Sequence, residues 1–125
     1  MKPMILTVPA QADWALVVRM AAAGAGALFD LPVDVLEDLR TALDESFDLL
    51  LHQDYCAETI TLCCEARSDG LHVSLTARER TEQPCPDAAD ADIAQLIIGT
   101  LVREVNLEQD AQGVHCVRMT LPARG

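Results

Sequence analysis

The stretch Thr59-Ile60-Thr61-Leu62-Cys63-Cys64-Glu65, followed by Ser68-Asp69-Gly70 and Leu71-His72-Val73-Ser74-Leu75-Thr76, decides the fold. Apolar and polar residues alternate on both sides of a turn containing Asp-Gly, the pattern of a β-hairpin with one buried face. An antiparallel sheet follows. Upstream the period changes. From Val33 to His52, Val35, Leu36, Leu39, Ala42, Leu43, Phe47, Leu50 and Leu51 fall on or near one face of a helix, with Asp34, Glu37, Asp38, Arg40 and Asp44 largely off it. Asp30-Leu31-Pro32 reads as the turn before it, and Pro32 together with the acidic first turns suits a helix start.

Further out, Gln11 to about Leu28 places Trp14, Val17, Val18, Ala21 and Ala22 at helical spacing, and the pattern predicts fraying at Gly24 and Gly26. The apolar run from Trp14 to Phe29 is shorter than the roughly 20 residues of a membrane span and carries Arg19, which predicts a core-packing helix. Met4 to Val8 is a short strand stopped by Pro9. Downstream, Arg78 to Asp90 is polar and holds Pro84 and Pro86, predicting a mobile loop. Asp90 or Asp92 caps a third helix through Ile93, Leu96, Ile97, Leu101 and Val102. Glu104 to Glu108 and Val114 to Leu121 form a closing strand pair turned at Gln112-Gly113. The order predicts one domain over residues 1–125, an α+β two-layer sandwich with about three helices on one face of a mostly antiparallel sheet.

Composition narrows the function. The chain has 125 residues, of which 50% are hydrophobic and only 3% aromatic, so the core is aliphatic and no stacking platform for bases is available. With 9 Lys+Arg against 20 Asp+Glu, the net charge of -11 repels nucleic-acid backbones and anionic membranes. Five cysteines (Cys56, Cys63, Cys64, Cys85, Cys116) lack CxxC spacing and no secretory leader pattern precedes them, which predicts a reducing cytoplasm.

Several short pieces now align with a known family: Val8-Pro9-Ala10, Val18-Arg19-Met20, Glu37-Asp38-Leu39-Arg40, Ala42-Leu43-Asp44-Glu45, Thr100-Leu101-Val102-Arg103-Glu104-Val105 and Gly113-Val114. In this order and spacing the chain resembles the bacterial anti-sigma regulatory factors, which have a histidine-kinase-like ATPase domain of the Bergerat type. The resemblance implies a protein that holds a sigma factor inactive. In active members it also implies phosphorylation of a serine or threonine on an anti-anti-sigma antagonist with Mg-ATP. Members of the family often pair as homodimers, and apolar residues exposed on strands are what would support pairing here.

The resemblance assigns site positions residue by residue. Glu45 matches the family's glutamate, general base or orienting group, but the magnesium-binding Asn four residues later is Leu49. Magnesium requires hard oxygen ligands, which a leucine lacks. Asp48, one residue away, is turned by about 100° on a helix. A one-residue slip would instead align Asp44 and Asp48 with the Glu and Asn. The adenine-reading Asp-x-Gly is Ala77-Arg78-Glu79, and the glycine-rich phosphate cradle is Ala91-Asp92-Ile93-Ala94, with Asp92 setting negative charge where phosphate belongs.

The leading expectation is therefore a degenerate nucleotide site with no cofactor, in a protein that acts by binding partners. Its enzyme-class rival is an active kinase that uses Glu45, with Asp44 and Asp48 holding the magnesium of Mg-ATP. A third reading is an interaction module with an unrelated partner. Arg19, rare cation in an apolar helix, either pairs with a carboxylate or projects as a partner contact, as the family's helix-one arginine does. Glu45 has a plain reading as a solvated acid on an acidic helix. His52 and Cys56 stand at i, i+4 but make no tetrahedral set, so no metal is expected. Cys63 and Cys64 point to opposite faces of a strand, and nothing around His72 and His115 suggests a nucleophile or proton relay. The acidic balance suits steering to a basic sigma factor, and equally suits simple solubility.

Overall fold

The computed structural model describes residues 2–53, 56–81 and 90–122. Cys85, Pro84 and Pro86, and with them most of the loop predicted to be mobile, lie outside the described residues. Five strands, β1 (Met4–Pro9), β2 (Thr59–Arg67), β3 (Gly70–Arg78), β4 (Glu104–Asp110) and β5 (Gly113–Pro122), form one sheet in the order β1-β2-β3-β5-β4. Every pairing in it is antiparallel. Among the described residues three helices, α1 (Ala15–Leu28), α2 (Val33–Leu51) and α3 (Ala91–Gly99), pack against it, and a 3-10 turn (Ala12–Trp14) leads into α1. This is the two-layer α+β sandwich that the hairpin and helix periodicities predict.

The register makes the alternation physical. Leu6 lies opposite Leu62, Leu62 opposite Leu75, Leu75 opposite Val117, and Val117 opposite Leu107, one aliphatic row across all five strands. Cys64, Val73 and Met119 form the next row. These residues meet Val18, Ala22, Leu39, Leu43, Phe47 and Leu50 from the helices in one continuous core. The opposite face of the sheet is polar: Thr7 and Thr61 share a hydrogen bond of 2.9 Å between their hydroxyls, and Arg78 Nε donates to Thr61 Oγ1 at 3.2 Å. Cys63 falls on that face and Cys64 in the core, as strand alternation requires.

The first helix departs from expectation. It does not fray at Gly24 and Gly26 but runs to Leu28 and closes with Asp30 in the left-handed region (φ 62). Leu31 N donates to Gly26 O at 3.0 Å and Asp30 N to Ala27 O at 3.1 Å, the paired bonds of a Schellman ending. Gly26 is buried because α2 lies close: a Cβ there would come within 2.5 Å of Leu36 Cδ2. Its buried face is Val18, Ala22, Ala25 and Gly26, whereas Trp14 and Val17, assigned to the core stripe by periodicity, are exposed. The third helix ends at Gly99, and Leu101 and Val102 follow in a turn, packed on the core. Apolar residues exposed on strands are scarce: among the described residues Ile5 is the one large example, and the others lie on or beside helices.

Sequence reasoning also missed the tie between α2 and β5. Gln53, just beyond α2, donates from Nε2 to Leu49 O at 2.7 Å and accepts through Oε1 from Val114 N at 2.8 Å. Gly113 at φ 106 turns the chain beneath it, and a Cβ there would sit 2.5 Å from Gln53 Oε1. The residue must be small and left-handed at once.

Candidate functional site

α2 and α3 diverge around a cleft of about 260 Å³ lined by Glu45, Asp48, Leu49, Asp90, Ile93, Ala94 and Ile97. Its construction follows from the two helices. The α2 stripe turns Leu49 into the core, only 1% exposed, so the side chain forms an apolar floor. Glu45, one turn earlier, is half-buried, and Asp48 stands exposed on the rim. On the α3 side, Asp90 is the N-cap: its Oδ1 accepts from Asp92 N at 2.9 Å and Ile93 N at 3.2 Å. Between the two caps the sequence allows, the structure selects Asp90 over Asp92. The consequence is chemical: the Asp92 and Ile93 N–H groups in the first turn of α3, donors of the kind a helix start offers to an anion, are taken by a carboxylate of the chain itself.

The remaining site positions scatter. Ala77 is buried at the end of β3, opposite Ile60, and its methyl group has no hydrogen-bonding atom to offer an adenine. Glu79 follows in the left-handed region at φ 58, a backbone shape that suits glycine, and does not line the cleft. Its carboxyl lies beside that of Glu58, and their shared hydrogen bond and mutual repulsion raise the Glu58 carboxyl above the usual range. Ala91 and Asp92 start α3 but sit off the cleft wall. Asp44 is not with Glu45 either: it pairs with Arg19, whose Nε lies 3.2 Å from Asp44 Oδ1 and whose Nη1 donates to Oδ2 at 3.4 Å. The Nε contact is too misaligned for a hydrogen bond, so that buried N–H keeps only the charge attraction. Arg19 thus takes the paired option while remaining 29% exposed at its side chain.

His52 caps the end of α2 with Nδ1 2.8 Å from Asp48 O and 3.3 Å from Asp48 Oδ1. Among the described residues no three His, Cys, Asp or Glu converge to hold a metal ion, and no helix is long and apolar enough to cross a membrane. Burial pushes the Cys64 thiol up to about 12, with Cys63 adding to the rise. On the far side, Arg80 donates to Asp110 Oδ1 at 2.7 Å, anchoring the chain after β3 to the β4–β5 turn and holding the Asp110 carboxyl below its usual range.

Comparison with solved structures gives a fold. The chain superposes on the crystal structure of the RsbU and RsbW domains of Rv1364c from Mycobacterium tuberculosis with a TM-score of 0.76 and 17% identity, covering 98% of this chain and 32% of that one. It spans about a third of that neighbour's length. No protein-family model and no curated protein matches the chain. The three-dimensional likeness extends over nearly every residue, while the sequence has diverged to a level at which site residues are compared only one at a time.

Proposed function

We propose that the protein is a regulator of the anti-sigma, partner-switching type that acts by protein binding, with a nucleotide site no longer suited to Mg-ATP. The observation that carries this reading is the cleft between α2 and α3. Where the resemblance requires a magnesium-ligating amide, Leu49 is a core residue, and where it requires free N–H groups for a triphosphate, Asp90 Oδ1 already binds those of Asp92 and Ile93. Glu45, Asp48 and Asp90 around the same space would repel phosphate. These residues do not fit a magnesium triphosphate. The whole-chain likeness to a structure containing an RsbW domain supports the partner-switching context. The partners are then a sigma factor and an anti-anti-sigma antagonist, with neither nucleic acid nor membrane bound directly, and Arg19 at the α1–α2 surface is a partner-contact candidate.

The kinase reading keeps one favourable observation: Glu45 and Asp48 line the same cleft and both carry hard oxygen donors. Asp44, tied to Arg19, is not available to it as drawn from sequence. Co-expression with the sigma factors and small antagonist domains of the same cell, followed by native mass measurement without nucleotide, tests the proposal. A stoichiometric complex is expected. Phosphate transfer to an antagonist that is abolished by Glu45→Gln would replace this reading with the kinase.

A further inference from the structure

The cleft proposed to be unsuited to a nucleotide has features that suit another occupant. Ile93 and Ile97, 56% and 39% exposed, line the cleft beside the apolar floor of Leu49 and Ala94, and Leu96, 73% exposed, continues their face of α3 outside the cleft at i, i+3, i+4 spacing. A short helix that leaves three large aliphatic side chains in water next to a concave wall has a face suited to being covered. The charge around it selects the cover. Segments 12–52 and 90–100, which hold the helices, contain half of the chain's 20 acidic residues but only Arg19 and Arg40 of its 9 basic ones. Arg19 is committed to Asp44 and Arg40 to Glu37. Among the described residues no lysine or arginine lines the cleft, and Glu45 has no ion pair.

We infer that the α2–α3 cleft docks a cationic amphipathic helix of a protein partner, whose aliphatic side chains cover Ile93, Leu96 and Ile97 while its Lys or Arg residues meet Glu45, Asp48 and Asp90. Charge complementarity decides among occupants. A second copy of this chain would bring an equally acidic helix layer, and nucleotides, nucleic acids and anionic lipids bring the same sign of charge. The inference rests on the reading of the cleft as one that no longer takes Mg-ATP. It adds where on the molecule a partner sits and what that partner's segment looks like: apolar at helical spacing, basic on its flanks.

The test uses the intact chain and a labelled synthetic peptide of about 18 residues, long enough to be helical, with Leu at i, i+3, i+4 and i+7 and Lys or Arg elsewhere. A second peptide has the same composition in strict alternation. Fluorescence anisotropy at about 0.15 M salt limits general charge attraction. Saturable binding of the helical peptide alone is expected, weakened about tenfold or more by Leu96→Glu and by Glu45→Lys. Met20→Glu, on the exposed side of α1, should leave it unchanged, and circular dichroism checks that each variant is folded. Equal binding of both peptides, no binding, or loss through Met20→Glu alone overturns the docking site. Millimolar Mg-ATP is added in a parallel arm: a rise in melting temperature with displacement of the peptide overturns the proposed function and this inference together. Absent peptide binding with no effect of Mg-ATP overturns the docking site and leaves the proposed function standing.

Discussion

α2 and α3 are both rich in aliphatic residues and meet at one cleft, yet they spend those residues differently. In α2 the apolar positions gather into a single stripe, and Leu39, Ala42, Leu43, Phe47, Leu49 and Leu50 are buried, with charge on the far side. In α3 the apolar residues run round the helix, only Ala94 and Ile98 are buried, and Ile93, Leu96 and Ile97 face water. The first pattern is what folding requires. The second exceeds what folding uses, and the excess lies beside three carboxylates.

The largest expected break in this contrast is Phe47→Ala, which empties the centre of the α2 stripe and should cost about 3–5 kcal/mol in chemical denaturation. If the cost is under about 1 kcal/mol, α2 is not the core helix described here. Gly113→Ala comes next. A left-handed backbone and the 2.5 Å approach to Gln53 Oε1 combine to an expected loss of about 2 kcal/mol, read from the denaturant midpoint. Removing the α3 cap with Asp90→Ala should cost about 1 kcal/mol, since Asp92 N and Ile93 N lose their acceptor. The same variant frees those N–H groups, so a gain in phosphate affinity would show that the cap is what blocks the helix start.

Cys64 sharpens the contrast through pH. Its folded thiol stands at about 12 against an ordinary 9.0, so its contribution is intact below about pH 9 and is lost as pH rises toward 12, because the unfolded chain ionises first. At pH 10 the loss should be about 1 kcal/mol, and Cys64→Ala should remove that part of the pH dependence. The smallest effect belongs to Leu96→Gln: within about 0.5 kcal/mol of wild type, because the side chain covers no core.

Much of this architecture was legible in the sequence because one face of each strand and of α2 is buried, and burial leaves a period. Thr59 to Thr76 alternates since its inward rows meet the helices, and its strands extend one or two residues past the alternation only because pairing continues to Arg67 and Arg78. α1 was harder. Its sequence is apolar almost all round, so periodicity could not tell Val18 and Ala22 from Trp14 and Val17, and Gly26 read as a weak point when it is a close-packing point against Leu36. The same ambiguity hid the exposure of α3. At the site, Glu45 and Leu49 fell together because they share a helix face, but Asp44 and Arg19 form a pair across 25 positions that no local pattern announces. The Gln53 bridge was equally invisible, since a lone glutamine carries no periodic signal and its partner Val114 lies 61 residues away.

The proposed function turns on an α2–α3 cleft that no longer takes Mg-ATP. Thermal unfolding of the intact chain with and without millimolar Mg-ATP tests it most directly, because a ligand at about 100 times its dissociation constant adds roughly 2.7 kcal/mol and raises the midpoint by several degrees. The proposed function predicts no shift with Mg-ATP or Mg-ADP. A magnesium-dependent rise that Glu45→Lys abolishes would contradict it.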